Sequence, residues 1–178
     1  MKSVVIQLFK LSEEVPTPAY GTSMAACFDL SFQPSGRFSV QGYDKWNNTI
    51  DRMTYNNCLD IYPGDRLLVP TGLVMKIRGD FADDPLPTYS IRLHARSGMA
   101  LKRGLVLANA EGVIDVDYQK EIFVMLTNIS AVPTTIAKDE RIAQCEVVRQ
   151  CCAYFELVKE QPKQYSERDG GFGSTGHN

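Results

Sequence analysis

The stretch Ile122-Phe123-Val124-Met125-Leu126-Thr127-Asn128 consists mostly of residues that favour extended backbone, and it predicts one strand of a β-sheet. Similar short runs, separated by Gly, Pro and Asn, recur along nearly the whole chain. Many short strands with turn residues between them are typical of a β-sandwich or barrel, so we predict an all-β fold. The other predicted strands cover residues 4–8, 27–31, 66–69, 73–77, 89–93, 106–107, 113–116, 134–136 and 143–148.

One short helix is predicted at residues 97–103. Ser97 is a good N-cap residue, and Lys102 and Arg103 place positive charge in the last turn. Gly104 suits the position that follows a helix, where the backbone turns left-handed.

Composition narrows the class of protein. The chain has 178 residues, 44% of them hydrophobic, and a formal net charge of −2. These values indicate a globular domain and argue against a protein that coats polynucleotides. No apolar run reaches the roughly 18 residues of a membrane span, and the first residues do not resemble a secretion leader. The five cysteines are scattered and only two histidines are present, so we expect reduced thiols, no zinc site and a cytoplasmic location, the host cytoplasm if the chain is viral.

Two segments are predicted to be insertions in a domain that spans residues 1–166. Residues 33–57 contain Pro34, Gly36, Gly42 and Trp46 without a clear period, and loops of this length are uncommon in compact domains. An irregular surface excursion and a docking surface for a regulatory protein both stay open for this segment. A second, acidic loop covers residues 79–85, and residues 167–178 are expected to form a flexible glycine-rich lid.

Two motifs carry groups suited to phosphates and bases. Arg96-Ser97-Gly98 places a guanidinium, a hydroxyl and free backbone N–H groups at the predicted helix start, which suits a phosphate. A serine-capped helix beside an arginine is also common without any ligand. Residues 168–176 combine an arginine, glycines, small hydroxyls and Phe172, so they could fold over a nucleotide or form a loose end.

Residues 109–118 are predicted to form a strand, a turn and a second strand. Asp115 lies between Ile114 and Val116, and poor solvation there would suit its carboxylate to general-base work. The solvated face of an ordinary hairpin is the alternative. Strict alternation places Asp115 and Tyr118 on opposite faces, so both can reach one pocket only if the chain bends.

Five motifs occur in a fixed order along the chain: Ala25-Ala26-Cys27-Phe28-Asp29-Leu30, Arg96-Ser97-Gly98-Met99-Ala100, Gly112-Val113-Ile114-Asp115-Val116-Asp117-Tyr118, Arg141-Ile142-Ala143-Gln144 and Gly170-Gly171-Phe172-Gly173-Ser174-Thr175-Gly176. As an ordered set they resemble the motifs of the trimeric dUTP pyrophosphatases (dUTPases), from about residue 24 to residue 176. The resemblance implies a distorted jelly-roll β-barrel or sandwich and a homotrimer with shared active sites, over which the C-terminal tail closes.

The resemblance also implies a reaction. Enzymes of this family hydrolyse dUTP to dUMP and pyrophosphate by attack of water on the α-phosphorus, with Mg²⁺ bound to the triphosphate. This limits uracil incorporation into DNA and supplies dUMP for dTMP synthesis. By position, Asp115 resembles the general base, and Asp29 resembles a partner of Mg²⁺ through water.

Substrate contacts follow from the same resemblance. Tyr118 resembles the residue packed under the sugar, which leaves no room for a 2′-hydroxyl. The hairpin resembles a uracil slot, formed by Asn109, Gly112, Val113 and Ile114 and by Phe123 on the returning strand. Phosphate and lid contacts are expected from Arg96, Ser97, Gly98, Gln144, Arg168, Phe172, Gly173, Ser174 and Thr175.

The chain departs from the family pattern at four places. Lys120 stands where glycine is usual, Asp139-Glu140 replaces a Gly-Asp pair, and His94-Ala95 precedes Arg96 where proline is common. The gap between Arg168 and Phe172 is one residue shorter than usual, which places Arg168 nearer to the aromatic of the tail than in the family pattern.

Three other classes of protein are alternatives to a dUTPase. A dCTP deaminase shares the fold but usually lacks the glycine-rich tail. A binding or regulatory protein could use residues 33–57 to hold a partner, with or without catalysis. A purely structural jelly-roll protein does not explain five ordered motifs.

Overall fold

A computed structural model describes residues 4–78, 89–151, 153–165 and 167. The described part is nearly all β, as predicted, and each of the ten predicted strands corresponds to an observed one. The strands are β1 (Val5–Lys10), β2 (Phe28–Ser31), β3 (Ser39–Tyr43), β4 (Thr49–Tyr55), β5 (Cys58–Ile61), β6 (Arg66–Pro70), β7 (Leu73–Arg78), β8 (Tyr89–Ala95), β9 (Leu105–Leu107), β10 (Gly112–Ile114), β11 (Phe123–Asn128), β12 (Thr134–Ala137) and β13 (Arg141–Arg149).

These strands form three antiparallel sheets. A two-stranded sheet pairs β1 with β7, a four-stranded sheet has the order β10-β8-β13-β2, and a seven-stranded sheet has the order β12-β5-β4-β3-β6-β11-β9. Side chains from all three sheets pack into one buried cluster. On β6, for example, Leu67 and Val69 are fully buried while Leu68 between them is 43% exposed, which is the alternation of a sheet with one face on the core.

The prediction of an irregular excursion at residues 33–57 is wrong. This segment contains β3 and β4, which pair with each other, while β3 also pairs with β6 and β4 with β5. The sequence hides β4 because its inward positions include Arg52 and Thr54, so no apolar alternation appears. Arg52 is accommodated because its guanidinium donates to both carboxylate oxygens of the buried Asp65, at 2.7 and 2.8 Å.

The helix α1 (Ser97–Arg103) has the predicted bounds, but Ser97 is not its N-cap. Arg96 takes that position with extended backbone angles, and its side chain makes no capping hydrogen bond. Ser97 and Gly98 are therefore the exposed first residues of the helix. Gly104 has φ +65° and closes the helix as predicted. At seven residues, this helix of the described chain is far too short to span a membrane.

Asp139 explains one departure from the family pattern. It has φ +66°, a backbone conformation that glycine adopts most easily, in the turn between β12 and β13. Its carboxylate accepts a 2.6 Å hydrogen bond from the side-chain amide of Gln33, which is only 1% exposed. The aspartate thus keeps the turn that glycine would form and also pairs a buried amide.

Candidate active site

The first group of predicted site residues lies on the four-stranded sheet. Gln144 of β13 is directly opposite Asp29 of β2 and His94 of β8. Residues directly opposite each other in antiparallel strands project from the same face, so these side chains form one row across the sheet. Gln144 donates to the carbonyl of Ala95 at 3.1 Å, which holds its amide beside the end of β8.

Asp29 holds two arginines in place. Its Oδ1 accepts from Arg96 Nε at 2.9 Å, and its Oδ2 accepts from Arg141 Nη1 at 3.0 Å. Arg96 also donates to the carbonyl oxygen of Arg141 at 3.0 Å. We call Asp29, Arg96, Arg141 and Gln144 the Asp29 cluster. Two guanidinium groups face one carboxylate, so the cluster carries an excess positive charge suited to an anion.

A shift in strand register positions Arg141. The pairing of β13 with β2 moves by one residue between Arg141 and Ala143, an irregularity of the β-bulge type. The Arg141 side chain remains 58% exposed. A cavity of about 370 Å³ adjoins it, lined in part by residues 16–21, Asp29, Ser31 and Arg141.

The second group lies on the 109–118 hairpin. Ala110 has φ +62° in the turn between β9 and β10, and its N–H donates to Leu107 O at 3.1 Å. Gly112 then pairs with Leu93 of β8, and a Cβ atom on Gly112 would lie 3.0 Å from the Cβ of Leu93. The strand β10 is the end strand of its sheet, so its outer backbone edge faces away from β8.

The chain bends directly after β10. Such a bend is needed if the side chains of Asp115 and Tyr118 are to reach one pocket. The N–H of Tyr118 donates to the carbonyl of Asp115 at 3.1 Å, which closes a turn. Asp115 is exposed, so the expectation that Ile114 and Val116 desolvate it is wrong for the single chain. Tyr118 is half-buried, and its hydroxyl donates to the carbonyl of Glu121 at 2.9 Å.

The two groups lie at opposite ends of β8 within one chain. Ile114, next to Asp115, is paired with Ile91 near the start of β8, whereas Arg96 follows its last residue. Five residues of extended chain separate Ile91 from Arg96, a distance of about 16 Å. One chain therefore presents two separate half-sites, the 109–118 hairpin and the Asp29 cluster.

Comparisons with known proteins identify the family of this chain. A sequence model of the dUTPase family matches residues 55–176. The deoxyuridine 5′-triphosphate nucleotidohydrolase of Methylocella silvestris is 36% identical over 166 residues, which are 92% of this chain and 84% of that protein. The chain belongs to the dUTPase family. It is accordingly a dUTP diphosphatase, an enzyme that hydrolyses dUTP.

Solved dUTPases share the fold. The dUTPase of Staphylococcus bacteriophage 80alpha, solved with dUpNHpp, superposes with a TM-score of 0.70 at 18% identity and covers 97% of this chain and 98% of that one. A mutant dUTPase from phage phi11 of S. aureus, which coordinates a structural Mg(II) ion, has a TM-score of 0.64 at 16% identity and covers 89% of this chain and 99% of that one. The expected jelly-roll architecture is confirmed by this likeness.

Asp29 fits an indirect partner of a metal ion better than a direct ligand. Each of its oxygens already accepts from an arginine and keeps capacity for one further hydrogen bond, for instance from a metal-bound water. Among the described residues, no group of three or more His, Cys, Asp or Glu side chains is placed to hold a metal. Mg²⁺ generally keeps several of its waters and binds through one or two carboxylates and substrate phosphates.

The structure also shows contacts that the sequence analysis missed. Glu121 is 8% exposed and pairs with Arg37, from the segment before β3. Glu121 directly precedes an apolar strand in the sequence, and a charged residue at such a position can indicate a buried ion pair. The predicted lid residues lie outside the described part of the chain: Arg168, Phe172, Gly173, Ser174 and Thr175.

Proposed function

We propose that this dUTPase hydrolyses the bond between the α- and β-phosphates of dUTP by an attack of water that Asp115 activates. The Asp115 carboxylate takes a proton from the water while the water oxygen bonds to the α-phosphorus. The bond to the bridging oxygen breaks, so pyrophosphate leaves and dUMP remains. An exposed carboxylate held at a turn is accessible to such a water.

The Asp29 cluster supplies the phosphate contacts in this proposal. Arg96 is fixed by Asp29 and by the Arg141 carbonyl, so its remaining N–H groups are oriented before a ligand arrives. Gln144, Ser97 and Gly98 stand beside it as further donors. When bound to the triphosphate, Mg²⁺ neutralises charge on the phosphate oxygens, and Asp29 would hold one of its waters.

The free edge of β10 supports the uracil slot. An end strand presents backbone N–H and C=O groups that no neighbouring strand of its sheet uses. Uracil carries one N–H donor between two carbonyl acceptors, so alternating backbone groups can pair with its edge. In this proposal Asn109 and Phe123 would line the slot, and Tyr118 would pack under the deoxyribose.

The observation that carries the proposal is the separation of the two half-sites along β8. A complete site needs the acid of one chain near the arginine of another, which supports a homotrimer with shared sites. Residues 153–165 support assembly independently, because Tyr154, Phe155 and Leu157 are more than 90% exposed. Apolar groups displayed in this way are typical of surfaces that bind another chain. The lid formed by residues 167–178 would then close over a neighbouring site, with Phe172 on the uracil.

We also propose a metabolic role, a cellular location and a regulatory contact for this enzyme. The reaction would limit uracil incorporation into DNA and supply dUMP for dTMP synthesis. It would take place in the cytoplasm. A regulatory protein that docks on residues 33–57 stays a prediction, since the strands found there are compatible with such a surface.

Pyrophosphate release from dUTP, dCTP, dTTP and UTP, measured in parallel with and without Mg²⁺, tests the proposal. We expect rapid release from dUTP alone and a strong dependence on Mg²⁺. Equal release from dCTP or UTP would contradict the slot, and full activity without divalent ions would contradict the Mg²⁺ role. Sedimentation analysis of the same sample tests the trimer.

A further inference from the structure

A buried ion pair links the inserted strands to the residue proposed to face the sugar. Glu121 lies between Tyr118 and β11, and its side chain is 7% exposed. Its carboxylate accepts from the backbone N–H of Gly72 at 2.8 Å and from both terminal nitrogens of Arg37. A buried carboxylate with these donors is satisfied only as long as the arginine stays in place.

Arg37 is itself held by the inserted strands. Its carbonyl accepts from the hydroxyl of Thr54 on β4 at 2.7 Å, and the N–H of Thr54 donates to the carbonyl of Phe38 at 2.8 Å. The Arg37 guanidinium carbon lies 5.7 Å from the centroid of the Phe123 ring. Arg37 thus reaches from β4 to both Glu121 and Phe123.

The backbone carbonyl group of Glu121 positions the side chain of Tyr118. The hydroxyl of Tyr118 donates to the carbonyl of Glu121, so the ring can keep its place only if residue 121 does. The next residue is fixed from the other side, because Ile122 donates to Leu73 O at 2.8 Å and accepts from the Thr71 hydroxyl at 2.6 Å. Removing Arg37 would remove its hydrogen bonds to the Glu121 carboxylate. The two hydrogen bonds of the Ile122 backbone would remain.

We propose that Arg37 is a positioning residue for sugar selection: through Glu121 it holds Tyr118 at the depth that excludes a 2′-hydroxyl. The inference rests on the proposed role of Tyr118. It assigns residues 33–57 a part in substrate discrimination, since Arg37 lies in the segment that precedes the family match. Arg37 acts through Glu121 and makes no contact with the reacting atoms in this scheme.

The chain offers a closely matched control. Arg52 of the same inserted strands also pairs with a buried carboxylate, that of Asp65, whose side chain is 2% exposed, and it also lies over an aromatic ring, 4.5 Å from the centroid of Tyr62. Asp65 likewise accepts a backbone N–H, that of Tyr62, at 3.0 Å. Arg52→Met should therefore destabilise the fold much as Arg37→Met does, without removing a contact of residues 118–121.

The test compares kcat and KM for dUTP and UTP in Arg37→Met, Arg52→Met and the unchanged enzyme. We expect Arg37→Met to raise the ratio of kcat/KM for UTP to that for dUTP by about 10-fold, within the range a single pocket group can discriminate. Arg52→Met should leave the ratio unchanged. An unchanged ratio in Arg37→Met, or an equal rise in both variants, would overturn the inference.

Two further measurements keep the test decisive. Arg37→Lys keeps the charge but loses the planar fork, so it should fold readily and show an intermediate ratio; the full unchanged ratio would count against the inference. Hydrogen exchange at the amides of residues 118–123 should accelerate in Arg37→Met alone. If Tyr118→Ala leaves the ratio unaltered, the proposed role of Tyr118 fails, whereas faster exchange at residues 118–123 in Arg37→Met would still show that Arg37 positions this segment.

Discussion

The 109–118 hairpin and the Asp29 cluster are built in opposite ways, although they lie at the two ends of the same strand, β8. In the Asp29 cluster, side chains hold each other: one carboxylate binds two arginines, and an amide binds the strand end. In the hairpin, backbone bonds and turns set the shape, and Asn109, Val113 and Asp115 are exposed. The cluster is therefore oriented in the single chain, while the hairpin presents groups that only a second surface can enclose.

This contrast suggests a division of labour. A highly charged triphosphate requires donors that do not reorganise during the reaction, and interlocked arginines provide them. A base-reading slot requires backbone groups and an acid that are accessible until substrate or a neighbouring chain covers them. Three substitutions and one labelling experiment test this difference between the two groups, in order of decreasing expected effect.

The replacement Asp115→Asn should lower kcat for dUTP by about 10²- to 10⁴-fold, the usual share of a general base. The amide preserves the shape of the turn, so binding of a non-hydrolysable analogue should survive, which calorimetry can measure. Asp117→Asn, two residues away and also exposed, is the control. Near-normal turnover in Asp115→Asn would assign the base elsewhere.

The replacement Asp29→Asn should lower kcat/KM by about 10- to 100-fold, as is typical for residues that orient ligands or bind metal-held water. Both arginines lose their charged partner, so Arg96 and Arg141 become free to rotate. The Mg²⁺ concentration for half-maximal rate should also rise. A loss of rate with an unchanged Mg²⁺ titration would restrict Asp29 to holding the arginines.

The replacement Gly112→Ala should weaken the hairpin without touching the Asp29 cluster. The new methyl group would lie 3.0 Å from the Cβ of Leu93, so β10 must shift away from β8. We expect a several-fold rise in KM for dUTP and a loss of about 1 kcal/mol in the free energy of unfolding. Denaturant titration and initial rates measure both, and Gly98→Ala, where a methyl group meets nothing within 4 Å, is the stability control.

Thiol labelling tests the rigidity of the sheet below the Asp29 cluster. Cys145 follows Gln144 on β13 and is fully buried, and this burial raises the pKa of its thiol well above the usual range. Because the thiolate is the reactive form, Cys145 should resist alkylation at pH 8 while the exposed Cys151 reacts. Mass spectrometry of the digested protein distinguishes them. Equal labelling of both in the native enzyme would mean that this sheet opens readily.

Sequence patterns predicted the parts of the fold that obey local rules. Strands with apolar inward positions, such as the one that became β11, were found, as were the helix bounds and the turn at Gly104. The strand β4 was missed because Arg52 points inward, and its partner Asp65 lies 13 residues away, beyond any local pattern. Ser97 was misplaced as an N-cap because side-chain preference says little about where helical backbone begins.

The candidate site was predicted only in part, because some of its features depend on contacts that no local sequence pattern shows. Ordered motifs supplied the candidate residues, whose roles stay predictions, but the exposure of Asp115 depends on how far β10 extends, and the turn comes right after Ile114. The pairing of Arg37 with Glu121 joins positions 84 residues apart, so the position of Glu121 before an apolar strand could indicate a buried ion pair but could not identify Arg37 as the partner. The lid roles of residues 168–175 stay predictions.

The turn at Asp139 has a consequence for how this chain can diverge. A change to glycine would relax the left-handed backbone there, yet it would remove the oxygen that the buried Gln33 amide needs. A substitution at only one of the two positions would lose this hydrogen bond. We therefore expect relatives with glycine in this turn to carry a residue other than glutamine at the position of Gln33. We therefore expect these two positions, 106 residues apart, to covary among relatives.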